Sequence, residues 1–228
     1  MTDETRPSKA GVRDTYDVIA ESFVERRRDP WPEVVTFGQD LRRGTRVLDV
    51  GCAHGRHAEV LAARGCHVVG VDVSRRLLAI GRTRSRAWSG SARSAWITAD
   101  ATDLPFRGET FGACLLVAVL HHLPTVEDRR SALLEVQRIL KPGASAFVSV
   151  WSKERARLRR VRGEGGGFLE IEAADVLVPW HLPDGSVAQR YYHLFEEPEF
   201  RGLIIGSGLR EESFFKSSGN LFAHATRA

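Results

Sequence analysis

"RVLDVGCAHG", residues 46–55, changes character at its midpoint. The first half is a short β-branched and apolar run, which reads as a buried strand. The second half carries Gly51 and Gly55, residues that let the backbone turn sharply and approach a ligand closely. From Ala58 to Arg64 the chain continues as a helix. The unit is a strand, a tight turn and a helix, and a group bound at the turn would sit beyond the strand's carboxyl end.

The same alternation extends in both directions. Strands are expected at 67–72 ("HVVGVD"), 94–100 ("SAWITAD"), 111–120 ("FGACLLVAVL") and 144–151 ("ASAFVSVW"), with helices from Arg75 to Arg82 and from Glu127 to Leu140. These strands are continuous rather than alternating apolar runs, which marks a mostly parallel sheet buried on both faces. Toward the N-terminus, apolar Tyr16, Ile19, Ala20 and Phe23 keep helical spacing, and Pro32 suits the first turn of a second helix. N-terminal helices therefore occupy 13–41. Toward the C-terminus, the basic run "KERARLRRVR" and the "GEGGG" cluster interrupt the rhythm and are expected to be flexible. A helix at Glu199–Ile205 and two strands around the turn at 218–220 follow. The expected fold is a doubly wound, mostly parallel seven-stranded α/β sheet with a C-terminal antiparallel hairpin. It forms one domain over 1–228, with a substrate-side insertion at 152–196.

Composition limits the function classes. The chain of 228 residues is 43% hydrophobic and 27% charged, ordinary for a globular domain. Its net charge of 33 − 29 = +4 permits a polyanionic partner without demanding one. Cys52, Cys66 and Cys114 are odd in number and lack CxxC spacing, which points to a reducing compartment and no metal. No apolar run approaches a membrane span and the start lacks a signal-peptide core, so no membrane role and a cytoplasmic location are expected.

The polar residues at the strand ends form a pattern. Asp49 and the Gly51/Gly55 turn close the first strand, Asp72 ends the second and Asp100 ends the third; "VAVLHHL" follows the fourth. Ligands of doubly wound sheets bind at such ends. A carboxylate at Asp72 can take both hydroxyls of a ribose, and one at Asp100 can accept from an adenine amino group. The pyrophosphate pattern GxGxxG is absent, and Asp49 would repel a pyrophosphate. It suits a cationic sulfonium amino acid instead.

On "VLDVGCAHG", "GVD", "TADATDLPF", "LLVAVLHHL" and "RILKPG" the chain resembles the class I S-adenosylmethionine-dependent methyltransferases over roughly residues 45 to 150. Ala53 and His54 depart from that family's usual Gly-Asn loop centre. The edges are more specific. "YDVIAESFVERRRDPWPEVVTF", "DVLVPWH", "RYYHLF" and "GN" (219–220) resemble the eukaryotic and archaeal tRNA methyltransferases that esterify 5-carboxymethyluridine at the wobble position. The resemblance implies S-adenosylmethionine as cofactor, tRNA as substrate and a small zinc-binding activator subunit as partner. Its cofactor-site residues are Arg27, Asp49, Gly51, Gly55, Asp72, Asp100, Ala101 and Val117.

The acceptor residues also read from their chemistry. Trp180, Tyr191 and Tyr192 offer flat faces for an everted base, and strand alternation lets only one of the two tyrosines face the site. Tyr191 is assigned here. His181, Arg190 and His193 offer donors to a carboxylate or phosphate. His181, Arg190 and His122 form the expected catalytic set, with Trp180, Tyr191, His193, Arg159 and Arg160 on the substrate. A carboxylate is ionised at neutral pH and needs no general base to attack a sulfonium methyl, so catalysis reduces to alignment. A small-molecule carboxyl or O-methyltransferase of the same fold is the alternative. The strand "SAWITAD", with Trp96 and Ile97 on an open sheet edge, is the expected docking edge for the activator.

Overall fold

The computed structural model describes residues 7–88, 94–154, 168–172 and 174–228. Five parallel strands form the body of one sheet: β1 (Arg46–Val50), β2 (His67–Asp72), β3 (Ser94–Thr98), β4 (Phe111–Val117) and β5 (Leu140–Trp151). An antiparallel pair, β9 (Leu209–Ser217) and β10 (Asn220–Arg227), completes a seven-stranded sheet of order β3-β2-β1-β4-β5-β10-β9. The order reverses between β1 and β4, and the crevice there is where such sheets bind ligands.

Both faces of the sheet are covered, which explains the continuous apolar runs. Leu48, Val50, Cys114 and Leu116 join one core cluster with α6 (Val126–Ile139) and α7 (Glu197–Gly206). Val47, Ala113 and Leu115 point the other way, against α3 (Pro32–Gln39) and α4 (Arg56–Ala63). Phe111, Phe195, Phe200 and Phe222 are fully buried in these layers. Each such side chain contributes about 1.5–3 kcal/mol by leaving water.

Several boundaries differ from the sequence expectation. The first helix is two, α1 (Lys9–Val18) and α2 (Ala20–Arg26), broken at Ile19. It begins earlier than the apolar spacing suggested because Ser8 caps it, accepting from the Gly11 N–H. β3 stops at Thr98 and β4 at Val117. Ala118 takes a left-handed φ of 60°, and the chain drops into a 3₁₀ turn, Leu120–His122, instead of continuing the strand. Trp96, expected on the open edge, is buried; its ring covers the glycines Gly55, Gly70 and Gly81.

The stretch 175–195 forms a second sheet. β6 (Leu169–Glu172), β7 (Asp175–His181) and β8 (Val187–His193) are antiparallel neighbours, β7 and β8 being joined through the Pro183-Asp184-Gly185 turn. Phe195 bonds to the Trp151 carbonyl, so β8 leaves its sheet beside the end of β5. The expectations for the glycine cluster, Arg159 and Arg160 lie outside the described residues. α1 lies across the mouth between the two sheets: Asp17 accepts from Ser74 Oγ and the Arg76 N–H at the start of α5 (Arg75–Ser85), and Thr15 donates to the Gln189 carbonyl.

Candidate active site

A cavity of about 670 Å³ opens between the carboxyl ends of the parallel strands, α1 and β8. One wall is backbone. Gly51 has φ +68°, and a Cβ there would lie 2.3 Å from Val119 Cγ2, so only glycine allows this turn. Ala53, also left-handed at φ 51°, donates its N–H to Asp72 Oδ2 at 2.8 Å, while the Ser74 N–H reaches Asp72 Oδ1 at 2.9 Å. Each Asp72 oxygen keeps lone-pair capacity for a hydroxyl. Gly55, at φ +81°, starts α4 under the Trp96 ring and does not line the cavity.

The electrostatics of this wall call for a cation. Asp49 is 1% exposed, and its Oδ2 has no partner among the described residues. Burial, with the Asp72 charge next, raises its pKa to about 7; burial raises Asp72 to about 6. Such carboxylates are costly unless a positive group joins them. Arg56, lowered to about 10 by burial and then by Arg27, lines the same cavity. Asp100 is engaged: Lys9 lies 2.9 Å from Oδ2, and the Thr102 N–H and Oγ1 reach Oδ1. Ala101, Val117 and Arg27 line the cavity. Asp72 and the Gly51 turn line the cavity, the buried Asp49 carboxylate does not, and this negatively charged wall fits S-adenosylmethionine.

The other wall is made of side chains. Cross-strand pairing of Val176 with Tyr192, Val178 with Arg190 and Trp180 with Ala188 puts these residues on one face of the β7–β8 hairpin. Arg190 and Tyr192 from that face line the cavity. Arg190 is 4% exposed and makes no ion pair among the described residues. Its guanidinium stacks 4.6 Å from the Trp180 ring, Nη1 donates to Tyr192 Oη at 2.9 Å, and Nε has no partner among the described residues. His122 Nδ1 lies 2.9 Å from the Tyr191 carbonyl, and its Nε2 lies 2.9 Å from Tyr16 Oη. A carbonyl only accepts, so Nδ1 carries the hydrogen. Burial lowers the His122 pKa to about 3, which keeps the ring neutral and leaves Nε2 to accept from Tyr16.

The remaining expected residues lie elsewhere. Trp180 is buried behind Arg190, donating through Nε1 to Ser22 Oγ, and does not line the cavity. His181, Tyr191 and His193 point to the opposite face of the hairpin. His181 is exposed, the Tyr191 hydroxyl reaches the Pro124 carbonyl, and His193 lies between Asp175 and Glu199 at 2.6 and 2.8 Å. Tyr16, Lys9 and Arg56 line the cavity without having been singled out for it, and Tyr192, weighed there with Tyr191, takes the inward position. Tyr192 was within reach of sequence reasoning, since it stands two residues from Arg190 on a strand. Tyr16 was not, because its helical spacing reads as a core position.

Residues 48–148 match the family model of the methyltransferase domain. The chain is 31% identical over 216 residues to the tRNA (carboxymethyluridine(34)-5-O)-methyltransferase of Schizosaccharomyces pombe, covering 86% of this chain and 87% of that protein. To the enzyme of the same description from Xenopus tropicalis it is 30% identical over 240 residues, covering 84% of this chain but only 36% of the longer relative. Among solved structures, a Burkholderia thailandensis 1,6-didemethyltoxoflavin N1-methyltransferase with bound S-adenosylhomocysteine superposes with a TM-score of 0.70, at 18% identity over 96% of this chain and 88% of that one. A Haloferax volcanii methyltransferase in complex with the Trm112 activator does so at 0.68, with 14% identity over 93% and 97%. The fold is that of S-adenosylmethionine-dependent methyltransferases, S-adenosylmethionine is the cofactor, and near-complete mutual coverage with the fission yeast protein shows that the chain belongs to the tRNA (carboxymethyluridine(34)-5-O)-methyltransferase family.

Proposed function

We propose that this chain methylates the carboxylate of 5-carboxymethyluridine at the wobble position of a tRNA. One observation carries the reading: a buried guanidinium, Arg190, stands in the cavity wall with no carboxylate of its own among the described residues. Leaving such a charge unpaired costs several kcal/mol, and an anionic acceptor offsets that cost. The bound cofactor supplies an electrophilic methyl on a sulfonium. Asp49 and Asp72 hold its cationic and sugar ends, and Arg190 aligns the acceptor carboxylate. One carboxylate oxygen forms the new C–O bond as the methyl–sulfur bond breaks, with its electron pair returning to sulfur. No proton moves, so a neutral His122 is consistent with the chemistry. Arg26, Arg27 and Arg28 at the cavity mouth suit the phosphates of an RNA strand.

The whole chain is read as one catalytic unit that works in the cytoplasm; its three cysteines are buried and free. Among the described residues no helix is long and apolar enough to cross a membrane. The activator partner is proposed to pair along β3, the strand at one end of the sheet. Activity of the isolated chain on tRNA equal to that of the chain co-purified with an activator removes that partner. The function itself is tested by nucleoside mass spectrometry of tRNA incubated with labelled cofactor. Methyl ester must form on carboxymethylated tRNA and not on the same tRNA with plain uridine; equal labelling of both overturns the proposal.

A further inference from the structure

The Tyr191 carbonyl, His122 and Tyr16 on the acceptor wall form a chain whose direction follows from one end. The Tyr191 carbonyl can only accept, so His122 donates from Nδ1 and accepts at Nε2. Tyr16 then spends its hydrogen on His122, and its oxygen is left to accept. Tyr192 stands beside Arg190 on the same wall. The Tyr192 oxygen in turn accepts from Arg190 Nη1 at 2.9 Å. The Tyr16 hydroxyl hydrogen and both nitrogens of His122 are thus engaged within the wall, and the acceptor His122 Nε2 is capped. Arg190, whose guanidinium keeps N–H donors beyond the one given to Tyr192, lines the cavity beside them.

We infer that Tyr16 and His122 are positioning residues that keep this wall a donor-rich, charge-reading surface, which admits an ionised carboxylate and turns away both the isosteric amide and the methyl-ester product. The inference rests on the functional reading above. An amide would bring N–H groups against a wall of donors, and an ester would bring no charge to Arg190. Charge-assisted hydrogen bonds are about twice as strong as neutral ones, so the preference for the acid over either analogue should be at least about tenfold. The same preference would release the product once its charge is gone.

The test uses three anticodon stem-loops that differ only in the wobble base, carrying 5-carboxymethyluridine, its carbamoylmethyl amide or its methyl ester, measured as ligands of the full chain with S-adenosylhomocysteine present and assayed separately for methylation with S-adenosylmethionine. The wild-type chain should bind the acid at least about tenfold more tightly than the other two. Tyr16→Phe keeps the ring but uncaps His122 Nε2. It should weaken the acid and tighten the amide, a gain that a packing defect would not produce, with cofactor affinity unchanged. Tyr192→Phe leaves His122 capped and should weaken the acid without tightening the amide. Equal binding of acid and amide by the wild-type chain overturns the inference, as does a Tyr16→Phe variant with an unchanged ratio. Methylation of the acid stem-loop in those cases leaves the functional reading standing. If the chain binds cofactor but methylates no stem-loop, the functional reading falls and this inference with it.

Discussion

The two walls of the cavity are built by different means. The donor wall is made at consecutive strand ends, where Gly51, Ala53 and Ser74 set the backbone and Asp72 accepts main-chain N–H groups. The acceptor wall is assembled from α1, the 3₁₀ turn and β8, through hydrogen bonds spanning up to 106 residues of sequence. A wall of local turns tolerates changes elsewhere but none in its own backbone. A wall of distant side chains depends on the register of one hairpin, since a single-residue slip of β8 would exchange Arg190 and Tyr192 for Tyr191 and His193.

The largest expected effect separates the two walls. Arg190→Ala should lower turnover on carboxymethylated tRNA by roughly 100- to 1000-fold, the range seen when alignment is lost. Calorimetry with the cofactor alone should give an almost unchanged Kd. A parallel loss of cofactor affinity would mean that the walls are not separable.

Next comes the backbone itself. Gly51→Val forces a β-branched residue to φ +68° against Val119 and should destabilise the fold by about 2–4 kcal/mol. A melting temperature within a degree of the parent would contradict the account of that turn.

Asp72→Ala is a milder probe of the same wall. Loss of charge-assisted hydroxyl contacts should weaken cofactor binding at least about tenfold, while circular dichroism stays native. An unchanged Kd would remove Asp72 from the site.

Acidity gives a graded effect. Asp72 at about 6 and Asp49 at about 7 are partly protonated near neutral pH, because burial disfavours their ionised forms. A cationic ligand favours ionisation, so binding releases protons. Cofactor affinity should rise on the order of tenfold between about pH 5 and pH 8 and then level off. The sign reverses for the stability of the empty protein. The folded state holds protons that the unfolded state, with carboxylate pKa values near 4, has lost. These two groups therefore cost stability increasingly as pH rises from about 4 through 7, and cofactor restores it. Affinity that is flat with pH would show that the two carboxylates do not meet the cation.

The smallest expected effect belongs to a member of the catalytic set expected from the sequence. His181 is exposed on the face of the hairpin opposite Arg190. His181→Ala should change turnover less than about twofold, within the range of ordinary surface substitutions. A loss comparable to that of Arg190→Ala would mean that the acceptor enters over the opposite face.

The donor wall was legible before any coordinates because its determinants are local. Strand, glycine turn and helix follow one another in the chain, and a carboxylate one strand further on reaches the same crevice by the topology of the sheet alone. Asp72, Gly51, Ala101 and Val117 all border the cavity as a sheet of this winding requires. The acceptor wall resisted such reading for two physical reasons. "RYYHLF" has period two, and nothing within it says which parity faces inward; pairing of Val178 with Arg190 and burial of that face against Trp151 selected Tyr192 over Tyr191. Tyr16 keeps the spacing of a buried helical residue, and its hydroxyl acquires a function only where the 3₁₀ turn brings His122 Nε2 within 2.9 Å. Sequence by itself determined the alternation of elements, the sheet and its donor-binding edge, because these depend on local backbone preference and burial period. Tertiary structure alone decided which side chains face the acceptor and in which direction their hydrogens run, because those depend on strand register and on contacts between segments far apart in the chain.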